Sequence, residues 1–435
     1  MMSVYMILRK AIRGPFWLLT LVFPFTTLAQ PSTLEIRDAY QLARKNYPMV
    51  KEKDLIRKTK DYSVSNAAKG WLPALNVNGQ ATYQSDVTNF PFKIPIPGFS
   101  LPSYSKDQNK AYAELDQTLY DGGTIKNQKL SAILSENIDQ QNLEVELFAL
   151  YDRVNQLFFG ALLIDEQLKE NELLKTDIRN GLEKVQAQVA NGVAYRSNAD
   201  ELSAQLLQAD QSRDELMANR QAYLDMLGLF LNRSLDSNTI LARPTVPNLV
   251  DSIARPELAL YDYQARNFDV QDQMISSQLK PRLSLFIQGG YARPGLNFLS
   301  NSFQWYYIGG VRLNWNLGSL YTTKNQRQMV NINRKMTEIQ KETFVFNIQI
   351  TRQQQQSDFN KYAKLIQKDD EIIALRQAIK NAASAQLQNG VLGAHDYITQ
   401  VDAEDQARQN MILHEIQLLQ TQYNYQNTTG NIAIH

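Results

Sequence analysis

The chain has 435 residues, no cysteine, a formal net charge of +1 and a mean hydropathy of −0.39. The lack of cysteine excludes disulfide bonds and thiolate metal sites, and the balanced charge argues against nucleic acid as a partner. The sequence beyond residue 30 shows no obvious run of eighteen apolar residues, so a helical membrane protein is not expected.

The first 29 residues have the features of a secretory signal peptide. Arg9, Lys10 and Arg13 precede an apolar stretch, Phe16 to Leu28, that is too short to span a membrane as a helix. Residues 1–29 are therefore predicted to be removed from an exported protein. Their removal changes the formal charge from +1 to −2, because these three cations are the only charged residues in the segment.

A first repeat is predicted over residues 30–232. The spacing of Ser32 and Glu35 is typical of a helix capping box, and strict alternation of apolar and polar residues further on predicts strands with one dry and one wet face. The predicted elements are helices 33–46 and 49–70, strands 74–83 and 110–120, and helices 124–190 and 197–232. Gly160 and Gly181 interrupt only the first long helix, where we expect slight bending.

After a linker predicted over residues 233–255, a second repeat occupies residues 256–435. Its predicted elements are helix 257–279, strands 282–291 and 303–317, and helices 322–388 and 395–426. Pro48 and Pro73 match Pro256 and Pro281 at an offset of 208, whereas Asn127 and Gly192 match Asn325 and Gly390 at an offset of 198. Two constant offsets indicate one structural unit written twice, with ten residues lost from the loop between its strands.

The predicted geometry requires assembly. A helix of about 65 residues is roughly 100 Å long, which no compact domain accommodates, and its sustained heptads predict helices packed side by side. Four strands with one dry face cannot close a membrane sheet alone. Two copies would give a filled barrel of eight strands, and three would give twelve strands with a lumen. The residues predicted to face lipid are Leu75, Val77, Leu285, Ile287, Trp305, Tyr307 and Trp315.

Several short segments carry a resemblance to a known family. They are the strand-to-helix turn Gln117–Gly123 with its counterpart at Gly318, the helix ends Leu224–Gly228 and Asn427–Gly430, and two turns between long helices. Those two turns are Asn191, Gly192 and Val193 in the first repeat, and Asn389, Gly390, Val391 and Leu392 in the second. In this order and spacing, with Asp121, Gly122 and Gly123 at the first strand-to-helix turn, the segments resemble the TolC-type outer-membrane efflux and secretion channels.

The resemblance implies a mainly α-helical protein with a membrane β region. Three chains would form a twelve-stranded β-barrel in the outer membrane of a Gram-negative bacterium, joined to a twelve-helix tunnel through the periplasm. It also implies contact with outer-membrane lipid, docking of a periplasmic adaptor at the helical turns, and an inner-membrane pump of the RND or ABC type. No cofactor, metal or catalysed reaction is implied.

In this family, acidic residues shortly after the second turn line a constriction. Asp396 matches that pattern and Thr399 departs from it, while Asn198 and Glu201 are the equivalents in the first repeat. Asp396 is equally consistent with a carboxylate favoured at a helix N-terminus. His395 is expected to be a solvated turn residue, and the acids Asp369 to Glu371 are expected to be surface charge.

The sequence thus predicts a passive export duct rather than an enzyme. Two other functions remain open: a periplasmic coiled-coil scaffold without a pore, and a surface receptor that acts through the loop 84–109. The cargo and the class of pump are not indicated.

Overall fold

The computed structural model describes residues 33–88, 105–297 and 300–432, so the predicted signal peptide lies outside the described residues. Within these ranges the chain forms six strands and eight α-helices. The strands are β1 (Thr33–Leu34), β2 (Ala74–Tyr83), β3 (Asp107–Tyr120), β4 (Ile240–Leu241), β5 (Arg282–Arg293) and β6 (Gln304–Asn314). The helices are α1 (Ile36–Asn46), α2 (Glu52–Ala68), α3 (Thr124–Phe148), α4 (Leu150–Ala190), α5 (Arg196–Leu231), α6 (Pro256–Gln278), α7 (Leu320–Gln388) and α8 (Ala394–Thr429).

The duplicated order of elements is present in the structure. α2, β2, β3, α3 with α4, and α5 correspond to α6, β5, β6, α7 and α8. The helix predicted over residues 124–190 is divided at Ala149, whereas α7 continues for 69 residues, about 100 Å. The division at Ala149 falls where the helix exchanges one set of neighbours, α2 and α6, for another, α5 and α8.

The predicted capping box is wrong. Thr33 and Leu34 form β1, which pairs in parallel with β4 of the linker, and Ala242 N donates to Leu34 O at 3.0 Å. Since this pairing holds the backbone extended, α1 begins only at Ile36, and its N-cap residue Glu35 makes no side-chain capping bond. The linker therefore contributes a strand instead of being only a connection.

Two strand ends also differ from the prediction. β3 begins at Asp107, because that residue still pairs with Tyr83 of β2. β6 ends at Asn314, because the Asn316 side chain accepts a hydrogen bond from Gly318 N and starts a helical turn. Trp315 therefore lies beyond the strand, with its indole donating to Leu279 O at 3.0 Å, and its assignment to a lipid-facing strand is wrong.

Four strands form one antiparallel sheet in the order β2-β3-β5-β6. The helices nearest this sheet follow the same order, with α2 on α3, α3 on α6, and α6 on α7. Farther from the sheet the neighbours change, and α5 packs on α4, α4 on α8, and α8 on α7. The chain is thus a single layer of strands that continues into a layer of long helices.

The largest core lies where α1 packs against α4 and α5, around Tyr151, Phe158 and Leu224. Helix 124–190 contains an eighteen-residue window of mean hydropathy 1.3, of which 56% is buried. The expectation that no such window exists beyond residue 30 was wrong. Its apolar character is explained by burial in this core, so its length and composition are weak evidence for a membrane span.

Candidate functional site: the helical turns, the sheet faces and the seam between hairpins

The turns between the long helices have the same backbone geometry in both repeats. Gly192 has φ +73° and Gly390 has φ +70°, a left-handed conformation that favours glycine. Val193 N donates to Gln188 O at 2.9 Å, and Val391 N donates to Gln386 O at 2.9 Å. Each bond satisfies a carbonyl group in the last turn of α4 or α7, so the two turns repeat each other.

The two turns lie side by side. The Gln188 side-chain amide donates to Leu387 O at 2.6 Å, which joins the end of α4 to the end of α7. Val193 is 70% exposed, Tyr195 82% and Val391 77%, so each turn presents an apolar side chain to solvent. Tyr195 was not singled out from the sequence, because one tyrosine after a turn carries no pattern.

The residues predicted to line an aperture lie at the start of α5 and α8. Asp396 is exposed, and its carboxylate makes no hydrogen bond or ion pair within the parts of the chain that the structure describes. Its neighbour His395 lies 2.9 Å from Glu201, measured from Nδ1 to Oε1, and Thr399 donates to His395 O at 3.0 Å. The His395 side chain is 79% exposed, and it also pairs across the two hairpins. Asn198 is part-buried at the start of α5, where its backbone N donates to Tyr195 O at 3.1 Å.

At the first strand-to-helix turn, Asp121 caps α3. Its carboxylate accepts from Gly123 N at 2.8 Å and from Ile125 N at 2.5 Å. Gly122 has φ +73°, and a Cβ there would lie 2.9 Å from Ser277 O. A glycine is needed at this turn because the backbone is left-handed and because a side chain would clash with Ser277 O. The turn at Gly318 has the same kind of bond, since Gly318 N donates to the Asn316 side-chain oxygen at 3.1 Å, but Gly318 does not have a positive φ.

The register of the sheet separates one apolar face from one polar face. Residues directly opposite each other share a face, and one row across the four strands is Val77, Ala113, Gly289 and Tyr307. The next row is Leu75, Leu115, Ile287 and Gly309, with Leu285 and Trp305 on the same face. Val77 is 80% exposed and Trp305 82%, so no part of the described chain covers this face.

The opposite face carries charge. Arg312 of β6 extends across β5, over the ring of Phe286, and its Nη1 lies 3.0 Å from both Glu114 and Asp116 of β3. A sheet with such different faces fits a wall between lipid and water.

Two glycines of α4 accommodate tyrosines of neighbouring helices. A Cβ on Gly160 would lie 2.5 Å from the ring of Tyr223, and one on Gly181 would lie 2.4 Å from the ring of Tyr397. We expected slight bending at these glycines and no break, and α4 does continue through both. The close approach of an aromatic ring explains why each position is a glycine.

The expected surface charge at Asp369 to Glu371 is corrected at one position. Asp369 is buried and lies 2.6 Å from His414 of α8, measured from Oδ2 to Nδ1. Helical periodicity places Asp369 toward α8 and leaves Asp370 exposed, which the run of acids in the sequence conceals. Among the described residues, no group of three or more His, Asp or Glu is arranged to hold a metal ion.

Comparison with known proteins supports the same architecture. Residues 39–230 match the sequence model of the outer membrane efflux protein family, whereas a search of curated proteins finds no match. The fold is similar to that of CusC, with a TM-score of 0.65 at 13% identity over 93% of this chain and 95% of that one. The outer membrane channel CmeC of Campylobacter jejuni gives 0.62 at 11% identity over 91% and 85%. The MtrE channel of Neisseria gonorrhoeae, solved in its open state, gives 0.57 at 14% over 91% and 88%.

A two-faced sheet continuing into a layer of very long helices defines the class of outer-membrane channels with a helical tunnel. The chain matches the outer membrane efflux protein family over residues 39–230, and the resemblance to TolC-type channels is confirmed. It is an export duct of the outer membrane that extends into the periplasm. The family is one of channels rather than enzymes.

Proposed function

We propose that the working duct is a homotrimer, and the observation that carries this proposal is the pair of open sheet edges. β2 and β6 each pair on one side only, so both present unpaired backbone groups along the outer edge. In a bilayer each unpaired group costs several kcal/mol, and the edges must meet other strands. Because the four strands alternate in direction, β6 of one copy is antiparallel to β2 of the next.

The helical layer has open sides at the same ends. α7 carries apolar side chains at three-, four- and seven-residue spacing that are all more than half exposed: Met329, Ile332, Met336, Ile339, Phe346 and Ile350. At the other end of the layer, α2 exposes Leu55 and Tyr62, and α5 exposes Leu207. We infer that α7 of one copy packs against α2 and α5 of the next, which buries both stripes.

Three copies would pair the open edges of the sheet and cover the exposed sides of the helical layer. Two copies would close eight strands around an interior filled by side chains, whereas three close twelve strands around an open lumen. The charged face with Arg312 then lines the lumen, and the apolar face with Val77 contacts outer-membrane lipid. Cargo passes through this lumen without being chemically changed.

At the periplasmic end, the paired turns Asn191–Val193 and Asn389–Leu392 are the proposed docking surface for a periplasmic adaptor. Their exposed valines and Tyr195 supply the apolar contacts that a protein partner buries. The adaptor would connect the duct to an inner-membrane pump of the RND or ABC type.

Asp396 is the proposed aperture residue. Three copies near a threefold axis repel one another when ionised, which raises the local affinity for cations and favours an open aperture. Glu201, Asn198 and Thr399 would lie beside it. Gating is then a shift in helix packing at the turns, biased by the adaptor.

Assembly and conductance test the proposal together. Native mass spectrometry of detergent-extracted protein is expected to show three chains, and planar bilayers are expected to show ion currents. As a matched pair, Ile339→Asp removes an exposed apolar contact of α7, and Glu342→Asp on the same helix does not. Only the first is expected to lower the yield of trimers.

A detergent-free, elongated monomer or dimer without conductance would support a periplasmic scaffold instead. A trimer that conducts, but whose only phenotype follows deletion within loop 84–109, would support a surface receptor.

A further inference from the structure

A buried ionic cluster joins the two helical hairpins about 20 Å above their turns. Glu404 of α8 is only 3% exposed. One of its oxygens lies 2.7 Å from Lys380 of α7, and the other lies 2.7 Å from Arg408, one turn along α8. A carboxylate so deeply buried is tolerated because two cations pair with it.

The same two cations extend the cluster to α4. Lys380 Nζ donates to Asp177 at 2.7 Å, and Arg408 Nε lies 3.5 Å from Glu170. The hydroxyl of Tyr397 donates to Asp177 O at 3.0 Å, next to the ring contact with Gly181. α8 is thus held to α4 by charges at one level and by a tyrosine in a glycine gap at the next.

Carboxylates outnumber cations in this cluster. Beside Lys380 and Arg408 stand four acids, and the fourth, Asp405, has a buried oxygen with no hydrogen-bond partner. The cluster, named here the seam cluster, consists of Glu170, Asp177, Lys380, Glu404, Asp405 and Arg408. Two negative charges therefore remain unbalanced in a part-buried seam, which favours uptake of protons.

The environment of two acids agrees with this imbalance. Burial, with the carboxylates of Asp405 and Glu404 and against the cations Arg408 and Lys380, raises the pKa of Glu170 from 4.5 to about 7. Burial, with the carboxylates of Asp402 and Glu404, raises the pKa of Asp405 from 3.8 to about 6.

The charges that α5 brings to the seam are paired with ions of opposite sign. Asp210 pairs with Lys175 of α4, and Arg213 pairs with Glu172. Asp402 of α8 has a neutral partner instead, since it accepts hydrogen bonds from Gln205 of α5, and burial raises its pKa.

We propose that the seam cluster is a proton-operated lock, in which protonation of Glu170 and Asp405 holds α8 against α4 and loss of these protons lets the two hairpins separate. The proposal rests on the duct function above, because separation of the hairpins is what would widen the tunnel at its turns. The acidity of the periplasm would then regulate that opening.

The pH dependence follows from the number of protons that each state binds. In the packed state Glu170 holds its proton up to about pH 7 and Asp405 up to about pH 6, whereas in the separated state water restores their ordinary affinities. Separation therefore releases protons between about pH 4 and 7. Acid favours the packed state across this window, and rising pH favours separation until both acids are ionised.

The chain has no cysteine, so two introduced cysteines can be labelled without background. Val193→Cys and Val391→Cys place spin labels on the two turns, where a Cβ on Gly390 would lie 3.9 Å from Val193 Cγ1. In the detergent-extracted full chain, the shortest label distance is expected to lengthen from pH 5 to pH 8, with a midpoint between about 6 and 7.

Neutral substitutions test whether Glu170 and Asp405 cause the pH dependence of the label distance. Glu170→Gln with Asp405→Asn is expected to keep the short distance at every pH. The control, Glu183→Gln with Asp370→Asn, makes the same charge change at exposed positions of α4 and α7 and is expected to behave as the unsubstituted chain. If the double variant does not assemble, Glu170→Gln alone is expected to move the midpoint to lower pH, because Asp405 then titrates by itself.

The histidine pairs on the same helices, His395 with Glu201 and His414 with Asp369, must also be excluded as the sensor. His395→Gln with His414→Gln is expected to retain the response. Loss of the response in this variant, a distance independent of pH in the unsubstituted chain, or a normal profile in Glu170→Gln with Asp405→Asn would each overturn the lock. Conductance in planar bilayers, measured on the same samples, reports separately whether the duct itself exists.

Discussion

The contact between Gly181 and Tyr397 predicts that the effect of Gly181→Ala on stability changes sign when the tyrosine is removed. A Cβ added at Gly181 would lie 2.4 Å from Tyr397 Cε1, and Tyr397 is 2% exposed with its hydroxyl bonded to Asp177 O. The ring cannot move away cheaply, so Gly181→Ala is expected to introduce an overpacking cost of about 1–3 kcal/mol. Alanine returns about 1 kcal/mol of helix propensity, which leaves a net loss of up to roughly 2 kcal/mol.

In a Tyr397→Ala background the obstruction is gone and only the propensity gain remains. Gly181→Ala is then expected to stabilise the protein by up to about 1 kcal/mol. Thermal unfolding of the four proteins in detergent, compared as a double-mutant cycle, measures the coupling. The same sign of the Gly181→Ala effect in both backgrounds would refute the explanation of this glycine as space for a ring.

Three further predictions concern the membrane wall, the aperture and a helix cap. Val77→Lys places a charge on the apolar face, where it costs about 2–4 kcal/mol in lipid, and is expected to abolish membrane assembly, whereas Asn78→Lys on the opposite face is tolerated; equal trimer yields would mean that the faces are reversed. Asp396→Asn is expected to weaken block by divalent cations in planar bilayers, and unchanged block would place this residue away from the aperture. Asp121→Ala removes two capping bonds of α3 and is expected to lower the unfolding free energy by about 1 kcal/mol, seen as a lower melting temperature.

Local patterns predicted the strands and the long helices well, because their periodicity reflects which face is buried. The same patterns failed where one distant contact decides the outcome. Residues 33–34 carry helix-capping signals, yet they pair with the linker as a strand because β4 satisfies their backbone. Likewise, Trp315 continues an alternating pattern, but the Asn316 side chain ends the strand before it.

The sequence alone determines the two-faced strands, the length of the helices and the positions of their turns, since each depends on residues close together in the chain. It also shows the duplication, because the same spacing occurs twice. The order of strands, the partners of Gly160 and Gly181, the pairing of His395 with Glu201 and the seam cluster depend on which helices become neighbours. Glu170 and Glu404 are 234 residues apart in the chain, and no local pattern reports that α4 and α8 meet. The charges of the seam cluster are buried and paired only because α4 and α8 pack together, so this cluster could be identified only from the folded protein.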